Sequence, residues 1–286
     1  MQTMRDIKRK INSVENTKKI TRAMKMVASA KLRKSQNRAE AAKPFFNKTK
    51  EVLSEVVSRM EVEKEEHPLL TEREEIDKVG YISITADRGL CGPYNSRIFK
   101  KTEECIDEQK DSRIIAIGKK GRNHFRREGL EIISEYLDTD DEPSYRWAKQ
   151  ITDEVISFYE NRDIDKLHLI YTEFQNVFTQ KVREIQLLPI KAKEIDEESL
   201  QSDYIYEPSA NQVLERVIPS YMQNLIYGAL LESKASEFAS RMVAMDSATE
   251  NAEEMIKDLT LSYNRARQAE ITKEISEIVS GAEALD

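Results

Sequence analysis

The chain is short of the residues that interrupt a backbone, and the gaps are not scattered. It holds eight glycines and seven prolines in 286 residues, with neither between Ala229 and Ser280 and no glycine before Gly80. Breaker-free ends of this length exclude a loop-rich or β-rich design there and favour long helices. Cysteine is as scarce: Cys91 and Cys105 form neither a CxxC nor a disulfide framework, which excludes a disulfide scaffold and fits a reducing compartment. No stretch reaches the roughly 18–20 apolar residues of a membrane helix, and Met1 reads directly into a helical pattern without a signal-like segment. Aromatic residues are nearly missing from the first 60 positions, where only Phe45 and Phe46 occur. Without a stacking platform, and with a net charge of −7, a nucleic-acid-binding coil is disfavoured.

What fills the breaker-free ends is periodic. Phe238, Met242, Met245, Thr249, Ala252, Ile256, Leu259, Tyr263 and Ala266 alternate steps of four and three. That seam is too narrow for a helix lying on a globular core and suits one wound on another helix. The stretch from Ala229 to Ser280 would run about 78 Å as a helix. The amino-terminal segment offers the partner. Thr3 and Asp6 read as a capping box, and Met4, Ile7, Ile11 and Val14 step three-four-three before Ile20, Met24 and Val27 resume with a phase shift. Charge agrees: residues 1–50 hold 15 Lys/Arg against 3 Asp/Glu, whereas residues 207–286 hold 7 against 14. Opposite signs favour pairing of the two ends over self-pairing.

The middle differs in kind. Six of the eight glycines fall between Gly80 and Gly129. Strands are expected at Val79–Thr85, Arg113–Ile117, Leu167–Tyr171 and Lys181–Ile190, with helices near Tyr94–Glu108, Lys119–Arg127 and Ser144–Tyr159. This alternation implies a small, mostly parallel sheet covered by helices. The predicted fold is therefore α/β with long helices: an antiparallel two-helix coiled coil formed by the N- and C-terminal segments, plus a central small Rossmann-like α/β domain. The domains are 1–60, 76–193 and 208–286, joined by acidic linkers at Glu61–Lys78 and Glu194–Asp203. If Met60 and Pro208 lie level, Met4 comes opposite residue 264, and the four-three beat breaks close by, between Ala266 and Ile271. Beyond that point the apolar face at Ile271, Ile275, Ile278, Ala282 and Leu285 has no partner in the chain and predicts a socket elsewhere.

At this point particular motifs become informative. The segments Met4-Arg5-Asp6-Ile7-Lys8-Arg9-Lys10-Ile11 and Ile20-Thr21-Arg22-Ala23-Met24-Lys25-Met26-Val27 resemble the gamma subunit of F-type ATP synthases. So do Ala239-Ser240-Arg241-Met242-Val243-Ala244-Met245, Tyr263-Asn264-Arg265-Ala266-Arg267-Gln268, Ile271-Thr272-Lys273-Glu274-Ile275 and the central Asp87-Arg88-Gly89-Leu90-Cys91-Gly92. The resemblance spans the whole chain. It implies a rotor shaft inside a hexamer of alternating alpha and beta subunits, with the α/β domain on a membrane-embedded c-ring. Proton or sodium flow would then be coupled to ATP synthesis by rotation.

The resemblance also implies roles for single residues. Arg267 and Gln268 match a pair that bonds a catch loop on a catalytic subunit, with Thr272 one turn on. Met24 and Arg241 match positions facing acidic levers of the catalytic subunits. Arg22 and Lys25 belong to a basic cluster with Lys18, Lys19, Lys31, Arg33 and Lys34 that suits those levers. Tyr204, Tyr206 and Glu207 match a segment touching the c-ring and the epsilon subunit. No catalytic residue, cofactor or metal is expected, since His67, His124 and His168 are scattered and Cys91 lacks a neighbouring base. The Asp87–Gly92 turn follows a strand and precedes a helix, so its amides could bind phosphate, but it fits neither nucleotide fingerprint and reads first as a structural turn. Gly118-Lys119-Lys120-Gly121 is a weaker version of the same signal. An α/β enzyme with helical arms is the remaining rival. The absence of an inserted redox loop with a cysteine pair sets the chain apart from chloroplast members. With the missing transit segment, this points to the cytoplasmic face of a bacterial cell membrane, with peripheral attachment through the complex.

Overall fold

A computed structural model of the chain describes residues 3–63, 67–107, 109–138, 141–190 and 210–283, with side chains for all of these except 54–63, 210–211 and 281–283. Its elements are α1 (Met4–Glu63), β1 (Lys78–Ile84), α2 (Tyr94–Cys105), β2 (Asp111–Ile117), α3 (Lys119–Arg127), β3 (Glu131–Tyr136), α4 (Tyr145–Glu160), β4 (Lys166–Phe174), β5 (Gln180–Leu188) and α5 (Ala210–Glu283). They form two compact units, Met1–Ala28 with Met242–Asp286, and Ser29–Arg241. Both long helices contribute to both units, and neither Pro44 nor Pro219 ends its helix.

The smaller unit is a pair of antiparallel helices. On α1 the seam runs through Met4, Ile7, Ile11, Val14, Lys18, Thr21, Lys25 and Ala28, all buried or half-buried in alternating steps of three and four, with Met24 half-buried at its edge. Of the expected phase-shifted set Ile20, Met24 and Val27, Met24 is half-buried, but Ile20 and Val27 are 60% and 55% exposed, so the seam does not shift onto it. The seam tolerates Lys18, Thr21 and Lys25 because each meets a polar partner across it. On α5 the expected seam from Met242 to Ala266 is half-buried or buried at every position. The amino-terminal cap forms as read: Asp6 N–H donates to Thr3 Oγ1 at 3.3 Å, and Thr3 N–H donates to Asp6 Oδ2 at 3.3 Å.

The larger unit is built on a five-stranded sheet in the order β3-β2-β1-β4-β5. β1 pairs in parallel with β2 and β4, β2 pairs in parallel with β3, and β5 runs antiparallel to β4. The period of two sorts the apolar side chains onto the two faces. Val79, Tyr81, Ile114 and Ala116 pack under α2 and α3 through Ile98 and Phe125. Ile82, Ile84, Ile115, Ile117, Leu167 and Leu169 pack against Ile151 and Val155 of α4, and against Ile218, Met222 and Ile226 of α5. Strand β3 is absent from the expected set. It is an edge strand whose sequence, EIISEY, leaves no position fully buried, so it lacks the apolar run that marks β1 and β2. Segments Glu194–Asp203 and Tyr204–Glu207 lie outside the described residues.

Candidate partner-binding surfaces

In the smaller unit, three cross-helix contacts fix the register. Lys18 Nζ pairs with Glu253 at 2.9 Å, the Thr21 and Thr249 hydroxyls meet at 2.7 Å, and Lys25 Nζ pairs with Asp246 at 2.5 Å. The residue numbers of each pair add to 270 or 271, so Met4 comes opposite residue 266 or 267. The sequence-based estimate of 264 was less than a turn short. From Arg267 to Ser280 every side chain is exposed, including Ile271, Ile275, Val279 and Ile278, the last at 72%. Arg267 and Gln268 are the first residues of this unpaired stretch, and the Thr272 hydroxyl donates to the Gln268 carbonyl at 2.9 Å. Those three therefore lie within two successive exposed turns of the helix, Thr272 one turn on from Gln268.

Arg22 is exposed, while Met24 and Lys25 are half-buried at the edge of the seam. The expected basic cluster is partly spent inside the molecule. Lys18 and Lys25 are paired as above, Lys31 bonds Asp141 at 2.5 Å, and Lys34 pairs with Glu142. Lys19 and Arg22 remain as exposed cations in the smaller unit, with apolar Ile20, Met26 and Val27 exposed on the same stretch of helix, and Arg33 is exposed in the larger unit. A surface mixing cations with large apolar side chains suits an acidic partner that also buries area.

In the larger unit Arg241 is committed inward. Its Nη1 donates to Glu237 at 2.8 Å, its Nε to the Gly89 carbonyl at 3.4 Å, and its Nη2 to the carbonyls of Gly89 and Arg88 at 3.2 and 3.3 Å. Ser240 Oγ donates to the Cys91 carbonyl at 2.6 Å. Lys234 holds the other oxygen of Glu237, which is 4% exposed. Consecutive residues of α5 thus clamp the turn between β1 and α2, with Leu90 at φ +60° and Gly92 at φ +54° inside it. Sequence reasoning assigned Arg241 to a partner and missed this clamp. The spacing Lys234, Glu237, Arg241, three and then four residues apart on one helix face, was the available signal.

The same geometry answers the phosphate reading of Asp87–Gly92 and Gly118–Gly121. Asp87 Oδ1 already accepts the amides of Lys119 and Asp138 at 3.0 and 3.2 Å, so a carboxylate occupies the start of α3. Gly118 and Gly121 are required by packing. A Cβ on Gly118, which sits at φ +94°, would lie 2.3 Å from the Thr85 carbonyl oxygen, and one on Gly121 would lie 2.7 Å from Thr85 Oγ1.

The histidines are separate. His67 Nδ1 accepts the Leu69 amide, His124 stacks on Phe99 and meets Glu103, and His168 stacks on Tyr81 beside Glu184. Among the described residues no group of His, Cys, Asp or Glu is arranged to hold a metal ion, and no helix is long and apolar enough to cross a membrane. Both thiols are pushed up, first by burial, with Cys105 at about 11. Tyr204, Tyr206 and Glu207 lie outside the described residues.

Comparison with known proteins places this geometry among relatives. The family profile described as ATP synthase matches residues 3–285. The chain is 50% identical to the ATP synthase gamma chain of Halothermothrix orenii and 48% identical to that of Heliobacterium modesticaldum, with 100% of both chains covered in each case. Among solved structures it is similar to a chain of the central stalk and c-ring of Tetrahymena thermophila mitochondrial ATP synthase. That match has a TM-score of 0.61 and 27% identity over 80% of this chain and 99% of that one. A chain from the rotor of Euglena gracilis mitochondrial ATP synthase shares the fold, with a TM-score of 0.69 and 19% identity over 94% and 98%.

Proposed function

The chain belongs to the ATP synthase gamma-chain family, and on that premise we propose how its surfaces divide the work of the complex. It is the central rotor shaft of an F-type ATP synthase, coupling transmembrane ion flow to ATP synthesis. The observation that carries the reading is the end-to-end family match on a chain whose helix pair leaves α5 unpaired after Ala266.

In this reading the chain performs no chemistry itself. It turns inside a hexamer of alpha and beta subunits and biases each two-state catalytic subunit in turn, because its faces differ. Arg267, Gln268 and Thr272 bond a catch loop of a catalytic subunit, an Arg fork suiting a carboxylate there. Arg22, Met24 and Lys25 meet acidic levers of the catalytic subunits. Arg241 serves the same contact through the turn that it holds. Tyr204, Tyr206 and Glu207 touch the epsilon subunit and the c-ring. The functional division is a first coil segment at 1–60, an α/β domain at 76–193 and a second coil segment at 208–286. No nucleic acid or cofactor enters the scheme. The complex holds the chain at the cytoplasmic face of a bacterial cell membrane, a reading supported by the high identity to the Halothermothrix and Heliobacterium chains.

Co-expression with the two larger nucleotide-binding subunits tests this. Native mass spectrometry should find one copy of this chain with three copies of each. A self-associated chain that excludes those subunits would end the reading.

A further inference from the structure

The larger unit contains a groove that the proposed rotor contacts leave unused, bounded by α1, α4, α5 and the β4–β5 pair. Its volume is about 490 Å³, inside the roughly 300–1,000 Å³ typical of small-molecule sites. Phe45, Phe46, Tyr145, Tyr171 and Tyr227 form an aromatic wall. Into that wall α5 sets one carboxylate. Glu232 lines the groove, and its Oε2 is buried without a hydrogen-bond partner among the described residues. Oε2 itself is closed to solvent, so it is through the rest of the half-buried Glu232 carboxylate that a donor in the groove would offset the cost of burial.

The electrostatics agree with the geometry. Burial first, and then Glu173, push the Glu232 carboxyl up to about 7, against the opposite pull of Lys43 and Arg183. Arg183 is already paired with Glu173 at 3.0 Å, and Lys43 is an exposed side chain at the rim of the groove. The remaining titratable neighbour, the Tyr171 phenol, is itself pushed up to about 12 by burial and by Glu232.

We propose that this groove binds a small hydrophobic amine, with its ammonium at the Glu232 carboxylate and its apolar body against the aromatic wall. An ionised carboxylate only accepts, so the ligand must donate. A charged donor makes the stronger bond, and aromatic faces attract cations as they do not attract alcohols. A purely apolar ligand would fill the space and leave the carboxylate without a donor.

The test is calorimetry on the full chain with 4-phenylbutylamine and its neutral counterpart 4-phenylbutanol. At about pH 8 the amine should bind at least about tenfold more tightly than the alcohol. Glu232→Gln should erase that difference, and circular dichroism should show the helices intact, since the change removes an unmet carboxylate. Lowering the pH to about 5.5 should weaken the amine as Glu232 takes up a proton. Ala42→Phe, which fills the groove while keeping Glu232, should weaken both ligands. Equal binding of amine and alcohol, no binding of the amine, an amine preference that survives Glu232→Gln, or amine binding that survives Ala42→Phe would each overturn the proposal.

Discussion

Single residues carry constraints here that their chemical type does not announce. Gly118 looked like part of a weak phosphate loop, yet its place is set by the Thr85 carbonyl, which leaves no room for a methyl group. Gly118→Ala combines a left-handed backbone with a backbone clash and should cost about 2 kcal/mol or more, read as a lower urea midpoint for the larger unit. Glu232 offers a second prediction, through pH. Its carboxyl lies at about 7 in the folded chain against an ordinary 4.5. Between those values the folded state keeps a proton that the unfolded state has released. The stability contributed by Glu232 is therefore full below about 4.5, falls as the pH rises to about 7, and is flat above. Glu232→Gln should remove that fall from a melting-temperature profile. A profile identical in slope to that of the unaltered chain would show that other groups cause it.

At the scale of elements, the helix pair depends on register and the α/β unit on a clamp. Because Lys18, Thr21 and Lys25 occupy seam positions, the register is set by polar matches as well as by apolar area. A polar group opposite an apolar one would be left unmet in any shifted pairing. Cysteines replacing Val14 and Ile256, whose numbers add to the same 270 as the threonine pair, should cross-link under mild oxidation. Val14 with Tyr263, a full heptad out, should not. The clamp predicts a different asymmetry. Arg241→Ala leaves the carbonyls of Arg88 and Gly89 and one oxygen of Glu237 without their donor. The loss should be about 2–4 kcal/mol in chemical denaturation, with Arg241→Lys recovering part of it. A far smaller change would mean that water replaces the guanidinium easily.

For the whole molecule the informative quantity is what remains uncovered. The register ends the helix pairing at Ala266 or Arg267, and the apolar side chains at Ile271, Ile275 and Ile278 follow without cover from the described residues. Truncation after Arg267 should leave the melting of the larger unit unchanged while weakening assembly with the catalytic subunits or the coupling of ATP hydrolysis to rotation. If assembly and coupling both survived, the seated-end reading would be lost. Charge works at the same scale. Of the cluster Lys18, Lys19, Arg22, Lys25, Lys31, Arg33 and Lys34, only Lys19, Arg22 and Arg33 stay exposed outside the internal ion pairs, so fewer than half of its cations are left for a partner.

Local patterns along the chain were sufficient for the helix pair on the α5 side, the capping box, four of the strands and the unpaired end. Each depends on spacing within a single segment, where a period of 3.5 or 2 leaves its mark directly on residue order. Other features depend on residues far apart in the chain, and only the tertiary structure decided them. The α1 seam passes through Lys18, Thr21 and Lys25 because Glu253, Thr249 and Asp246 lie opposite, which no pattern within α1 could disclose. β3 is a strand because β2 offers it an edge. Arg241 turns inward because Gly89 and Glu237 wait for it, and Glu232 lines an aromatic groove with its Oε2 unpartnered among the described residues. A polar side chain is indifferent to its own neighbours in sequence; its role follows from which donors and acceptors folding brings within about 3 Å.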